Sequence, residues 1–213
     1  MLKYPFSQNP YTNTPMEFQI NESIIQSEFE RISDLLLLNK TLIVNDKKVR
    51  FTEIEIYYYM GSHQDGFTHS HDYQEGKWRF HNQGFDITLR GKTGFGGILI
   101  RGIEVEGKYF NGPRRVVFEL MRHINPVDIS ENRFGLIDNE KRDLEIFKTY
   151  RQGLNEPDPK LECSNPEFFK NAKYRYIVEP KSFDRKQFSG AEKIADSFKD
   201  KGTSFRFLGY TKK

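Results

Sequence analysis

The residues best suited to chemistry crowd into residues 51–104, which hold His63, His69, His71 and His81, four of the five histidines, and the single tryptophan, Trp78. The segment opens with a strand-like run in which Glu53, Glu55, Tyr57 and Tyr59 alternate with Ile54, Ile56, Tyr58 and Met60. Side chains of a strand point alternately to its two faces, so the first four share one face and the second four the other. The second face is apolar and is expected in the core. The first sets two carboxylates about 7 Å apart beside two phenols. A carboxylate crowded by rings loses hydration and becomes a fit general base. The same alternation also arises on a solvated face whose glutamates meet Lys or Arg across the sheet, and the residues alone leave both readings open.

The histidines admit two readings as well. His69-Ser-His71 with His63, Asp65, Asp72 and His81 offers nitrogen and oxygen donors for a metal, but the spacing matches no compact ligand motif. The alternative is a loop held together by imidazole hydrogen bonds. Two apparent phosphate motifs fail: Gly91-Lys92-Thr93 lacks the glycine a Walker A loop needs where Asp86 stands, and Gly94-Phe-Gly96 lacks the third glycine of a dinucleotide fingerprint. Both suit a turn between strands.

The elements that must position these groups follow from spacing. Residues 1–20, with Pro5, Pro10 and Pro15, read as an extended arm, and residues 21–213 as a single domain. Ile24, Ile25, Phe29, Ile32, Leu35 and Leu36 recur at helical spacing, predicting a helix over 21–38 with Asn21 as its N-cap. Strands are expected over 41–44, 49–60, 77–90, 97–106 and 174–178, with 61–76 a loop. Helices are expected at 114–123, begun by Pro113, and at 139–151. A capping box at Ser189-Gly-Ala-Glu192 predicts a helix to about 199, and 205–208 reads as a last strand. The sum is an α+β domain with a mostly antiparallel sheet.

Composition narrows the class. With 36% hydrophobic and 15% aromatic residues, including 19 Phe and 11 Tyr, the core must be built largely on rings. A balance of 33 basic to 30 acidic residues is too even to argue for nucleic acid alone. The excess is local, however: Lys170, Lys173, Arg175, Lys181, Arg185 and Lys186 face only Glu179 and Asp184. One cysteine, Cys163, excludes an internal disulfide and fits a reducing compartment. The absence of an 18-residue apolar run and of a basic-then-apolar leader points to a cytoplasmic protein with no membrane partner.

Taken in order, these segments resemble the alkyladenine (3-methyladenine) DNA glycosylase family. The family's Glu-x-Glu-x-Tyr motif matches at Glu53, Glu55 and Tyr57, its His-Ser pair at His69-Ser70, and its Leu-x-Arg-x-x-Glu strand at Leu99-Ile-Arg-Gly-Ile-Glu104. A Gly-Pro helix start matches Gly112-Pro113, and a late Arg-aromatic strand resembles Tyr174-Arg-Tyr176, so the likeness spans roughly 34–180. It implies a curved, mostly antiparallel sheet or open barrel with flanking helices, which bends DNA and flips a damaged purine into a pocket. Glu55 would activate the water that attacks the anomeric carbon, with Arg101 beside it. Tyr57 and His69 would sandwich the base, and Phe80 would form a third wall. Stacking of about 1–3 kcal/mol per base would offset an extrusion cost of a few kcal/mol.

The resemblance implies a monomeric, nucleoid-associated DNA repair hydrolase acting on alkylated or deaminated purines, without metal or cofactor. Damaged DNA would be met by Gln83, Arg90, Arg114, Lys173 and Arg175. Gln83 stands where the family has an intercalating Tyr, and Arg90 where it has a pocket Asn. A glutamine cannot replace a stacked base as a ring does. Two further expectations compete: a non-catalytic nucleic-acid-binding module on the same scaffold, and a metal-dependent hydrolase using the histidines of 63–81. Arg101 could equally serve as an ion-pair partner of Glu53 or Glu104.

Overall fold

The computed structural model describes residues 15–81, 84–128, 131–180, 202, 203 and 207. The chain enters through a 3-10 turn at Pro15–Phe18 and the helix α1, Ile25–Asp34, which relaxes into a π-turn at Leu35–Asn39. The strands that follow are β1 (Lys40–Val44), β2 (Lys47–Met60), β3 (His63–Gln64), β4 (Trp78–His81), β5 (Gly84–Arg90), β6 (Phe95–Val105) and β7 (Lys108–Asn111). Helix α2 (Pro113–Met121) precedes β8 (Phe134–Asp138) and β9 (Phe147–Thr149), and α3 (Pro166–Asn171) precedes β10 (Arg175–Ile177).

These strands form one curled antiparallel half-barrel of an α+β fold, with few helices. Its main path runs β4-β5-β6-β2-β1-β8. Two long strands do the joining. On one side β2 pairs along its length with β6; on the other it gives its first residues to β1 and its middle to β10. Its register against β6 shifts around Glu53, and extra residues of this kind bend a strand and sharpen its twist. Beyond that bend β6 leaves β5 and pairs with β7.

One face of the sheet meets α1. Phe29 packs edge-on against Tyr58 and Tyr174, and Ile54, Ile56, Leu36 and Leu42 are fully buried around them. The apolar half of the β2 alternation is thus core, as its pattern requires. The other half is not a solvated face: Glu53 and Glu55 are buried too, because β10 and the chain around residue 152 cover them.

Several local expectations are corrected. The N-cap of α1 is Ile24, not Asn21, whose side chain instead accepts from Ser23 one turn earlier. No helix forms over 139–151; the segment is extended and ends in β9, which pairs with β10. Tertiary partners override helical spacing here, since the Arg142 side chain and backbone both donate to carbonyls at the end of the π-turn. The strand expected over 77–90 is a hairpin, β4 and β5. Strand β3, within the loop expected over 61–76, strands β7, β8 and β9 and helix α3 were not anticipated. The capping-box helix at 189–199 lies outside the described residues, as do 205, 206 and 208; Phe207 has helical rather than extended backbone.

Candidate active site

Register places a row of ionisable side chains straight across the sheet. Arg175 of β10 lies opposite Glu55 of β2, Glu55 opposite Leu99 of β6, Leu99 opposite Asp86 of β5, and Asp86 opposite Arg79 of β4. Directly opposed residues share a face, so this row reads base, acid, leucine, acid, base. The two carboxylates stand two strands apart, about 10 Å.

Glu55 has no exposed surface. Its Oε2 accepts from the Tyr57 hydroxyl at 2.8 Å and from Arg101 Nη1 at 3.2 Å, and its Oε1 accepts from the Gln152 backbone N–H at 2.8 Å. Glu53, on the same side of the bent strand, takes Arg101 Nε at 3.0 Å and Arg175 Nε at 2.7 Å. Burial alone would raise the Glu53 carboxyl, but Arg175 and Arg101 outweigh it and hold it below the ordinary carboxylate range. Burial likewise works against the Arg101 guanidinium, yet Glu55 and Glu53 hold its proton more tightly than usual. Tyr57 is pushed well above a normal phenol by burial and then by Glu55, so its hydroxyl stays a donor.

Next to this set lies a further ion pair. Arg151 forks onto Asp65 at 2.6 and 3.0 Å, with both side chains fully shielded. It also donates to the carbonyls of Ile56 and Phe169, and its guanidinium lies 4.5 Å from the centroid of the Tyr57 ring. Glu53, Glu55 and Asp65 are thereby matched by Arg101, Arg151 and Arg175. A buried charge left without its partner would be strongly destabilising, so the six hold one another in place.

Over the row opens a cavity of about 700 Å³, in the range of small-molecule sites. Tyr57, His69, Arg101, Leu99, Asp86, Arg79 and His81 line the sheet side, and residues 152–159 with Phe67 and Pro113 form the facing walls. Glu55 is one layer behind this lining, screened by Tyr57 and Arg101, both of which bond it. Asp86 is in the lining itself. Its Oδ2 accepts two Arg79 bonds, 2.5 and 3.2 Å, and its Oδ1 lies 3.1 Å from His81 Nε2. Burial pushes the Asp86 carboxyl up, but His81 and Arg79 prevail and hold it below the ordinary aspartate value.

The sequence-derived candidates divide accordingly. Tyr57, His69 and Arg101 meet in the cavity, with Glu55 behind them. Phe80 is not in the lining; it stacks on Phe85 with centroids 5.2 Å apart, in the aromatic cluster around Phe134. Arg90 turns away to donate to the His71 carbonyl. Arg175 cannot lie on a nucleic-acid track, because it is 2% exposed and spent on Glu53; this corrects the expectation drawn from its basic neighbourhood. Lys173 lies over the Tyr150 ring, and Arg114 is exposed on the first turn of α2. Gln83 lies outside the described residues. Arg101 is an ion-pair partner of Glu53 and Glu55, while Glu104 pairs with Arg50 instead.

His69 and His81 meet edge-on in the cavity, with ring centroids 6.2 Å apart, but the other histidines are turned to separate partners. His63 Nδ1 bonds the Tyr58 carbonyl and its Nε2 the Tyr174 hydroxyl, His71 bonds the Gly96 carbonyl, and His81 faces Asp86. Among the described residues no three of His, Cys, Asp and Glu group so as to hold a metal ion.

Sequence reasoning missed Asp86, Arg79, His81 as a set, and the wall at 152–159. The first carried a signal: Arg79 and His81 alternate with Trp78 and Phe80, and Asp86 and Thr88 with Phe85, Ile87 and Leu89, two polar faces on adjacent strands. The wall carried little beyond Gly153, which takes φ of +74°, and two prolines.

Fold and cavity together define an α+β protein with a polar, ring-walled cavity on one face of a half-barrel sheet. No helix among the described residues is long and apolar enough to cross a membrane. The chain matches no protein-family model and no curated protein.

Proposed function

We propose that this protein is a DNA repair glycosylase-like enzyme, hydrolysing the N-glycosidic bond of a flipped alkylated or deaminated purine. The observation that carries the reading is convergence. Tyr57, His69 and Arg101, far apart in sequence and singled out by resemblance to alkyladenine glycosylases, line one cavity large enough for a nucleoside, with Glu55 bonded to two of them. Tyr57 and His69 supply rings for a purine to stack on. Glu55 is the base that takes a proton from water as water attacks the anomeric carbon. Its charge, with that of Glu53, steadies the oxocarbenium-like centre that forms as the bond to the base breaks. Because Glu55 is shielded, water reaches it only when the Gln152 amide withdraws from Oε1, so the wall at 152–159 must move in each turnover.

A second reading is favoured by that same shielding. All three bonds to Glu55 are to protein groups, which suits a non-catalytic nucleic-acid-binding module whose carboxylate only anchors Tyr57 and Arg101. The experiment is abasic-site formation on duplexes carrying hypoxanthine or methyladenine, with Glu55→Gln as control. Base release by the wild type alone supports the enzyme. Salt-dependent DNA binding without release by either supports the module. Equal release by both discards Glu55 as the base.

A further inference from the structure

We infer that Asp86 selects the ligand in the cavity, accepting a hydrogen bond from an amino or protonated ring nitrogen of a bound purine; this rests on the nucleobase reading above. Four features carry it. Asp86 is the carboxylate on the sheet side of the lining, across the cavity from Glu156 and Asp158 of the facing wall, whereas Glu55 is behind it. Its two oxygens are used unequally among the described residues: Oδ2 takes two bonds from Arg79, while Oδ1 lies 3.1 Å from His81 Nε2, and a carboxylate oxygen can accept two. Gly97 leaves open the space beside the Asp86 side chain, since a Cβ there would lie 3.6 Å from Asp86 Cβ and Oδ2. Finally, the row across the sheet puts Asp86 two strands from Glu55, so a purine stacked on Tyr57 spans from one carboxylate towards the other.

Arg79 and His81 keep Asp86 ionised, which makes it an acceptor and not an acid. An ionised acceptor at the end of a ring-walled slot favours ligands with an N–H donor or a positive charge. It disfavours those presenting only lone pairs, because an acceptor facing Asp86 leaves two groups desolvated without a bond. The reading assigns Asp86 no part in breaking the glycosidic bond.

The test is calorimetric titration of the wild-type protein with adenine and with purine, which lacks the 6-amino group. Adenine is expected to bind about tenfold more tightly or better, the ordinary effect of one hydrogen bond to a charged group. Asp86→Asn reverses the chemistry at one oxygen. The two Arg79 bonds hold the amide oxygen at the Oδ2 position, so the NH₂ takes the place of Oδ1 and offers a donor where an acceptor stood. That variant is expected to lose the preference for adenine, binding adenine more weakly and purine more tightly than the wild type does. Equal binding of adenine and purine by the wild type overturns the inference, and that arm decides the matter should the variant fail to fold. An unchanged ratio in a folded Asp86→Asn also overturns it. Binding of neither base defeats the nucleobase reading itself, and this inference with it.

Discussion

The backbone N–H of Gln152 donates to Glu55 Oε1 at 2.8 Å, joining the wall that closes the cavity to the strand that floors it. The residue before it, Arg151, packs its guanidinium on the Tyr57 ring from below. Two consecutive residues of an irregular segment thus fix the carboxylate and the phenol on which the proposed chemistry depends. In Glu55→Gln the Oε1 position can still accept from Gln152, but an NH₂ then meets Arg101, donor against donor, and bonds Tyr57 only if the phenol turns to accept. Removing that charge leaves three buried guanidiniums with two carboxylates. Destabilisation of about 3–5 kcal/mol is expected, read as a lowered denaturation midpoint in urea, together with loss of base release. A variant as stable as the wild type would show that Glu55 carries no structural charge.

Arg151 and Asp65 should behave as one unit. Arg151→Met or Asp65→Asn strands the other charge in a shielded site, and each is expected to cost about 3–5 kcal/mol. The double variant removes both charges, so it should cost clearly less than the sum. Chemical denaturation of the four proteins closes the cycle, and simple additivity would mean the two do not interact.

Neighbouring glycines on β6 separate folding from binding. A Cβ on Gly96 would lie 2.1 Å from the Tyr57 carbonyl oxygen, so Gly96→Ala must displace β2 and should destabilise by about 1–3 kcal/mol or more. A Cβ on Gly97 meets nothing nearer than 3.6 Å and projects into the cavity floor beside Asp86. Gly97→Ala should therefore melt close to the wild type yet bind nucleobases more weakly. Thermal melts with calorimetric titration check both, and a destabilised Gly97→Ala would contradict the cavity geometry.

Acid should weaken the fold in two stages. His63, His69 and His71 are each held below the usual histidine value, chiefly by burial. Their depressed values mean that the unfolded chain binds more protons, so stability is complete above about pH 6.5 and falls as pH drops through the folded values. His63 shows the cause. The Tyr58 carbonyl can only accept, so Nδ1 carries the proton and Nε2 accepts from Tyr174, a bond that protonation destroys. Glu53 and Asp86, lowered by their arginine and histidine partners against burial, add a second loss below about pH 4. Melting temperatures between pH 8 and pH 3 test this. A curve flat from pH 8 to 5, or one unchanged in slope by His63→Gln, would refute the first stage.

Much of the β2 platform was legible because strand alternation is a local rule. Ile54, Ile56 and Tyr58 had to share the apolar face, and Glu53, Glu55 and Tyr57 the other, whatever lay around them. Local rules failed at 139–151, where the spacing of Leu144 and Phe147 suited a helix but pairing with β10 and carbonyls waiting at the end of the π-turn made an extended chain better. They failed again at Arg175. Its basic neighbours suggested an exposed track, whereas its register opposite Glu55 buries it.

By itself, then, the chain's order of residues determined the long strands β2 and β6, the ring-rich core and the set of acids, phenols and arginine that belong together, since each follows from periodicity and side-chain type. Tertiary structure alone decided that both faces of β2 are buried, that Glu55 lies behind the cavity and Asp86 within it, and that Arg151 and Gln152 brace them. Those outcomes depend on which distant segments come to lie opposite one another, and pairing between β5, β6, β2 and β10 is set by the closing of the whole sheet, not by any stretch of it.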